Sequence, residues 1–528
     1  MKLVFILLML FIPLIGRGQT VFTLNIQEKA GINHYFWKAA GHDFMFQMTD
    51  DDAGKYLLSR ISSYNSIKYI RSHFTFNSDD KGGQIVVYDP DGKYHYDFSK
   101  INHTFQNYLT HGIKPIVEFD FFPDNFAKPL GNDTNNEGFT GKNAQPRDWL
   151  EWEQLMRAFM ENLIETFGKE ELKTWYYEVW NEPDNWPTEH LHIFFRLYDT
   201  FADVVKSYDQ DFKVGGPATY NLYALKAFLD HVTSGTNFVT GEVGSPIDFI
   251  SHHIYGLSGG WLHAPPEIVP QVSRFSQELH WIKRLLDKYE SIKDIDFHLN
   301  EWGVCSNFQK AQAQYPQLEY RNNEFSPLFM TKLIDCLYAL EDNYDFKTSM
   351  LLYWGFSWED QKNEMFTGNR ELTTGGHTPK PILTGFELLA KLQPERLKAI
   401  DNVPGDRLGI IPTIGSKELA FIVYNFNETD DDLSKTDQLR IDVNGLIPNT
   451  EYQTKIYKLN REYNNSYAKW LKIGSPSVPG RLPADWSAKV SNLELENEII
   501  ISDHSGTLSF NVVLSRHSMN LYTIDLTL

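Results

Sequence analysis

The chain of 528 residues is 42% hydrophobic and 14% aromatic, enough to fill the cores of one large domain and a smaller one. Its formal charge of −20 at pH 7 argues against nucleic acid and anionic membranes as partners, since either requires a basic footprint. With only two cysteines, Cys305 and Cys336, no disulfide framework is available, and the sequence leaves open whether the two are bridged.

In chain order, residues 1–18 read as a secretory signal. Lys2 supplies the positive end, Leu3 to Ile15 the apolar core, and Gly16-Arg17-Gly18 a small-x-small cleavage site. That core is short for a bilayer span and no later stretch is apolar enough, so export to the periplasm or the medium is expected, with no membrane partner. Within residues 19–35, Val21–Ile26 alternates and is expected to join a sheet formed later in the chain.

Residues 36–394 alternate β-like runs with segments of helical period. Eight strands are expected: Ala39–Phe46, Ile67–Phe74, Lys114–Asp120, Trp175–Asn181, Phe212–Gly216, Asp248–Tyr255, Asp296–Glu301 and Ser349–Phe356. Helical patterns such as Trp149–Phe167 and Leu191–Tyr208 lie between them, and Pro123–Pro146 and Gly256–Pro270 read as long loops. Eight βα units predict a (β/α)₈ TIM barrel. Over residues 395–528 the texture changes to short alternating runs: Leu419–Asn425, Gln438–Val443, Tyr452–Leu459, Ile499–Ser502, Thr507–Val513 and Asn520–Leu526. The expected class is therefore α/β, a TIM barrel with an accessory antiparallel β-sandwich. The acidic run Glu428–Asp432 reads as a solvated turn without function.

Two of the barrel strands end on carboxylates. Trp175 to Trp186 is a β-favouring aromatic run broken at Asn181-Glu182-Pro183, where the proline stops the strand. Asp296 to Gly303 ends at Glu301, followed by a tryptophan and a glycine. The C-terminal ends of barrel strands are where chemistry sits. A carboxylic acid half-buried among tryptophans can stay protonated, and two carboxylates flanking a glycosidic bond are the minimum equipment of a glycosidase. Cys305 lies near this region but has no thiol-activating neighbours, which reads as a structural thiol. His252 and His253 are adjacent, point to opposite faces of a strand and cannot share a metal, so no metal site is expected.

The chain resembles glycoside hydrolase family 39, a family of β-xylosidases and α-L-iduronidases within a clan of retaining barrel enzymes. The resemblance rests on Ile67-Lys-Tyr-Ile-Arg-Ser-His73 as second strand, Tyr96-Asp-Phe-Ser-Lys-Ile101 with His111-Gly-Ile-Lys-Pro-Ile-Val-Glu118 as third, and Trp180-Asn-Glu-Pro183 as the acid/base strand. Ser251-His-His-Ile-Tyr255 matches the sixth strand and Leu352-Tyr-Trp354 the eighth, and Gly376-His-Thr-Pro-Lys-Pro381 with Gly385-Phe-Glu-Leu-Leu389 resembles the closing helix. It implies Glu182 as acid/base, Glu301 as nucleophile and no cofactor. It also implies Asn181, Arg71, His73, His253 and Tyr255 as residues that orient the nucleophile or bind sugar hydroxyls. Trp354 is the first choice for a stacking platform, ahead of Trp302 and Trp358. Tyr255 stands where the iduronidases carry a lysine for a uronate carboxylate, which favours a neutral sugar. The β-xylosidases carry an acidic pair further beyond the eighth-strand tryptophan than Glu359-Asp360 stand here, with Gln361-Lys362 following instead. The implied activity is removal of terminal sugars from oligo- or polysaccharides, most like a β-xylosidase. Other specificities of the family (α-L-iduronidase, α-L-arabinosidase, β-galactosidase) and a non-catalytic carbohydrate-binding barrel stand as alternatives.

Overall fold

The helices follow their apolar spacing. On Trp149–Phe167, the buried residues Trp152, Leu155, Met156, Phe159, Met160 and Leu163 recur every three or four positions, the Asp148 carboxylate caps the first turn, and Gly168 ends the helix at φ 78°. The computed structural model describes residues 20–43, 45–46, 51–77, 85–123, 126–130, 143–257, 269–306, 312–356, 364–401, 406–429 and 432–527. The signal segment, Trp358 and Glu359 to Lys362 lie outside them.

We label the main elements in chain order. Strand β1 is Thr20–Ile32; β2 to β9 are Ala39–His42, Tyr69–Ser72, Lys114–Phe119, Tyr176–Val179, Lys213–Thr219, Phe249–Tyr255, Asp296–Gly303 and Met350–Trp354. Helices α1 to α8 are Asp52–Tyr64, Ser99–Thr110, Trp149–Phe167, Leu191–Tyr208, Leu222–Ser234, Val272–Leu286, Phe325–Tyr344 and Pro381–Leu389, one after each of β2 to β9. Those eight strands pair in parallel, each with its neighbour in sequence, and β9 pairs with β2 to close the barrel. Its lumen holds a small apolar cluster with Ala39, Ile116, Tyr176, Met350, Leu352 and Trp354, separate from the large core between strands and helices.

Strands β10 to β17 are Glu395–Asp401, Leu408–Ile414, Glu418–Asn425, Thr436–Asn444, Glu451–Leu459, Glu496–Ile501, Leu508–Ser515 and Ser518–Asp525. With β1 they form a nine-stranded sheet in the order β15-β14-β17-β12-β11-β10-β1-β13-β16. Its pairings are antiparallel except β1 with β13. The sheet folds over itself: Phe510 on β16, at one edge, packs on Phe421 and Tyr522 in the middle. On β12 the side chains alternate. Leu419, Phe421 and Val423 fill the sandwich, while Ala420, Ile422 and Tyr424 belong to the core shared with the barrel. Helix α7 is buried along most of its length because it lies at that seam, where Tyr424 Oη donates to Asp335 at 2.7 Å.

Two strands of this sheet escaped the sequence reading, β10 and β11, as did three short two-stranded pairs in the loops of the barrel. The acidic run is also corrected in part: Glu428 is not a solvated turn residue, since it accepts from the Val272 amide at 3.0 Å and pairs with Lys332 at 3.2 Å, tying the sheet to α6 and α7. Cys305 and Cys336 are free thiols. Among the described residues no helix is long and apolar enough to cross a membrane.

Candidate active site

At the end of β5 the backbone turns through two left-handed residues, Trp180 at φ 69° and Glu182 at φ 47°, before Pro183 opens a short 3₁₀ turn. Such non-glycine conformations carry strain and concentrate at functional sites. The turn leaves Glu182 partly exposed, with Trp180 fully buried beneath it. Asn185 Nδ2 donates to Glu182 Oε2 at 3.0 Å, and Tyr220 Oη donates to Asn185 at 3.2 Å. Asp184 anchors this loop by accepting from the backbone amides of Tyr220 and Asn221 and from the Asn221 side chain. Burial, with Glu182 adding, pushes the Asp184 carboxyl up to about 6.

Glu301 reaches the lumen through a bulge. His252 pairs with Leu299 but His253 with Glu301, so Asn300 is an extra residue in β8, and the same slip appears against β9. Asn300 Nδ2 then donates to Glu178 at 2.9 Å while Glu301 turns to the site. Tyr255 Oη donates to Glu301 Oε1 at 2.6 Å, and Arg71 Nη1 stands 3.5 Å from Oε2.

Arg71, fully buried on β3, organises this floor. Its Nε donates to Glu178 at 2.9 Å and its Nη2 to the side-chain Oδ1 of Asn181 at 3.1 Å, and it pairs closely with Glu118. Glu118 also receives His73 Nδ1 at 2.7 Å. Burial holds the Glu118 carboxyl well above the usual carboxylate range, with Asp120, Glu178 and Glu301 adding and Arg71 opposing. His253 Nδ1 lies between the two end-of-strand carboxylates, 3.0 Å from Glu182 and 3.5 Å from Glu301. Its neighbour His252 faces the other way, to Glu278 on α6.

The structure thus brings Glu182, Glu301, Arg71, His73, Asn181, His253, Tyr255 and Trp354 to one end of the barrel. Trp354 packs 4.5 Å from the His73 ring with the Arg71 guanidinium over it, and only 1% of it is exposed, so little of the indole is open to a sugar. Trp302 is core, packed on Tyr353 and Phe329. The sequence reading assigned no role to Glu118, Glu178, Asn300, Asn185 or Arg370. Arg370 Nη1 donates to Tyr255 Oη at 2.8 Å and to the Ser306 carbonyl at 3.3 Å, and its guanidinium faces Asp43. A single carboxylate inside each of two largely apolar or aromatic strands, β4 and β5, was the only trace of Glu118 and Glu178 in the sequence; Arg370, in the irregular chain after β9, gave none.

Two sets of one histidine and two carboxylates have the reach of a metal site, His73 with Glu118 and Asp120, and Glu182 with His253 and Glu301. Arg71 pairs with a member of each, so a guanidinium already supplies the positive charge there.

The chain is 26% identical over 519 residues to a β-xylosidase of Caldicellulosiruptor saccharolyticus, covering 95% of this chain and 98% of that protein. To the α-L-iduronidase of Mus musculus it is 22% identical over 369 residues, 62% of this chain and 55% of that one. Its fold matches a crystal structure of a monomeric β-xylosidase from Caulobacter crescentus CB15 with a TM-score of 0.76 at 19% identity, over 96% of this chain and all of that one. The model of glycosyl hydrolases family 39 matches residues 25–483, and the chain belongs to that family.

Proposed function

We propose that this chain is an exported, retaining glycosidase that removes terminal sugars from oligo- or polysaccharides, with a specificity like that of the β-xylosidases it resembles. The observation that carries the reading is the approach of Glu182 and Glu301, whose nearest carboxylate oxygens lie within 4.8 Å of each other. Retaining enzymes hold their two carboxyl groups about 5–5.5 Å apart, whereas inverting ones leave roughly 6.5–9.5 Å for a water.

In this reading Glu301 attacks the anomeric carbon and the C–O bond to the leaving group breaks as Glu182 delivers its proton to the departing oxygen. Glu182 then takes a proton from water, whose oxygen displaces Glu301 from the same carbon. Tyr255 and Arg71 hold the Glu301 carboxylate in place, and Asn185 orients Glu182. Asn181, fixed by Arg71, is suited to the hydroxyl beside the anomeric carbon. The Nη1 and Nη2 groups of Arg370 are directed at Tyr255, Ser306 and Asp43, which favours a neutral sugar over a uronate. Export is supported by the signal pattern of residues 1–18.

A panel of aryl glycosides followed by proton NMR tests the reading. Rapid release of β-xylose, formed before mutarotation, from an aryl β-xyloside is expected. First release of the α-anomer would overturn the retaining assignment, and inactivity on the whole panel would overturn the enzyme.

A further inference from the structure

At the opposite mouth of the barrel, where the strands begin, the chain places lysines in successive positions. Lys38 precedes β2, Lys68 precedes β3, Lys114 opens β4, Lys213 opens β6, and Lys347 lies shortly before β9. The Lys68 amide donates to the Lys38 carbonyl and the Lys114 amide to the Lys68 carbonyl, so three of these residues sit side by side. Lys114 is matched by Glu171. Among the described residues Lys38, Lys68, Lys213 and Lys347 make no ion pair with a carboxylate; Lys38, Lys68 and Lys213 lie instead over the rings of Tyr35, Tyr69 and Tyr176. In a protein of charge −20 this is a local reversal of sign.

Three of them, Lys38, Lys68 and Lys347, line an open cavity of about 580 Å³ together with His34, Tyr69 and Tyr176, among others. Its one lining carboxylate, Asp296, accepts from Ser349 Oγ at 2.6 Å. Lys38 is 7% exposed. A buried ammonium without a carboxylate or hydrogen-bond partner is costly, and burial together with Lys68 lowers Lys38 to about 8. Burial, Lys347 and Arg396 lower His34 as well. The cavity therefore presents three ammonium groups against one carboxylate, between aromatic walls.

We propose that this cavity is an anion-binding site, in which Lys38, Lys68 and Lys347 hold an oxyanion, either free or carried by a sugar, on the face opposite the catalytic one. The inference is independent of the catalytic reading. A cavity of this volume takes a monosaccharide-sized ligand, and lysines bind sulfate and phosphate as point charges.

Titration of the full-length protein with sodium sulfate, at ionic strength held constant with sodium chloride, tests it by calorimetry and thermal unfolding. Lys68 and Lys347 are exposed, so Lys68→Met/Lys347→Met leaves packing intact, and Lys38→Met serves as a second variant. A saturable binding heat and a rise in Tm on the order of one or two degrees are expected for the native chain, with affinity reduced at least about tenfold in the double variant. A monosaccharide sulfate binding at least tenfold tighter than inorganic sulfate assigns the sugar-borne source, and equal affinities assign the free ion. No saturable heat, or the same response in native and variant proteins, overturns the site.

Discussion

Asn185 donates its side-chain amide to Glu182 Oε2 at 3.0 Å, a contact that exists because the strained turn after β5 folds the chain back over its own carboxylate. Asn185→Ala leaves Glu182 in place but unaimed. For substrates with poor leaving groups, which depend on proton donation, kcat/KM is expected to fall roughly tenfold, the equivalent of ~1.4 kcal/mol. For an activated leaving group such as dinitrophenolate the loss should be smaller. Equal losses across leaving groups, measured by steady-state kinetics, would assign Asn185 a merely structural role.

The roles of the two carboxylates are separable by azide. Glu301→Ala removes the attacking group, so azide should enter directly and give a glycosyl azide of inverted configuration. Glu182→Ala still forms the intermediate from an activated aryl glycoside, and azide should then yield the retained configuration. Proton NMR of the anomeric signal reads the result, and swapped stereochemistry would exchange the assignments.

Gly41 on β2 has no room for a side chain, since a Cβ there would stand 2.1 Å from the Trp354 ring. Gly41→Ala must push Trp354 toward Arg71 and His73. Overpacking of this kind costs about 1–3 kcal/mol, and a fall in both denaturant midpoint and kcat/KM is expected. A variant with native stability and native kinetics would show that the indole position is not used.

Stability should fall with rising pH through one buried pair. Glu387 on α8 takes a bidentate contact from Arg60 on α1 at 2.5 and 2.9 Å, yet burial outweighs the facing charge and pushes its carboxyl from 4.5 up to about 7. A raised folded-state pKa means a contribution present below about 4.5 and lost as pH climbs to about 7, of order 1–3 kcal/mol. Glu387→Gln cannot titrate, so that component of the slope should vanish when unfolding free energies are compared from pH 4.5 to 7.5. An unchanged slope would place the carboxyl in its ordinary range.

What the sequence made legible were features that repeat. Helices α3 and α4 match the expected bounds residue for residue, because the apolar period is strong in both and Asp148 caps the first. Each expected barrel strand is present, most of them shorter at the site end, where backbone leaves the ladder to present side chains: Ala39–Phe46 ends at His42, and Trp175–Asn181 at Val179. Strand β11 was hidden by Gly409 and Pro412 inside it, both of which read as breakers. Glu182 and Glu301 announced themselves by lying at strand ends. Glu118, Glu178 and Asn300 did not, because polar side chains inside buried strands make sense only once Arg71 is placed against the two carboxylates and Asn300 against Glu178, and that requires closure of the barrel.

The extra residue Asn300 has a consequence for how this barrel tolerates change. In an unbroken strand, one side chain in two faces the lumen, so a carboxylate facing the substrate and an amide bracing the floor would have to be two positions apart. The bulge makes them adjacent and resets the parity of everything beyond, so that Trp302 still falls on the helix side. Loss of a single residue between Leu299 and Glu301 would therefore not shorten the strand harmlessly. The chain would have to give up the brace on Glu178, keeping the tryptophan outside at the cost of a floor with one amide fewer, or else rotate the indole into the cavity. Length at this point therefore matters to the floor as much as identity does, and homologues are expected to vary here by substitution and not by insertion or deletion.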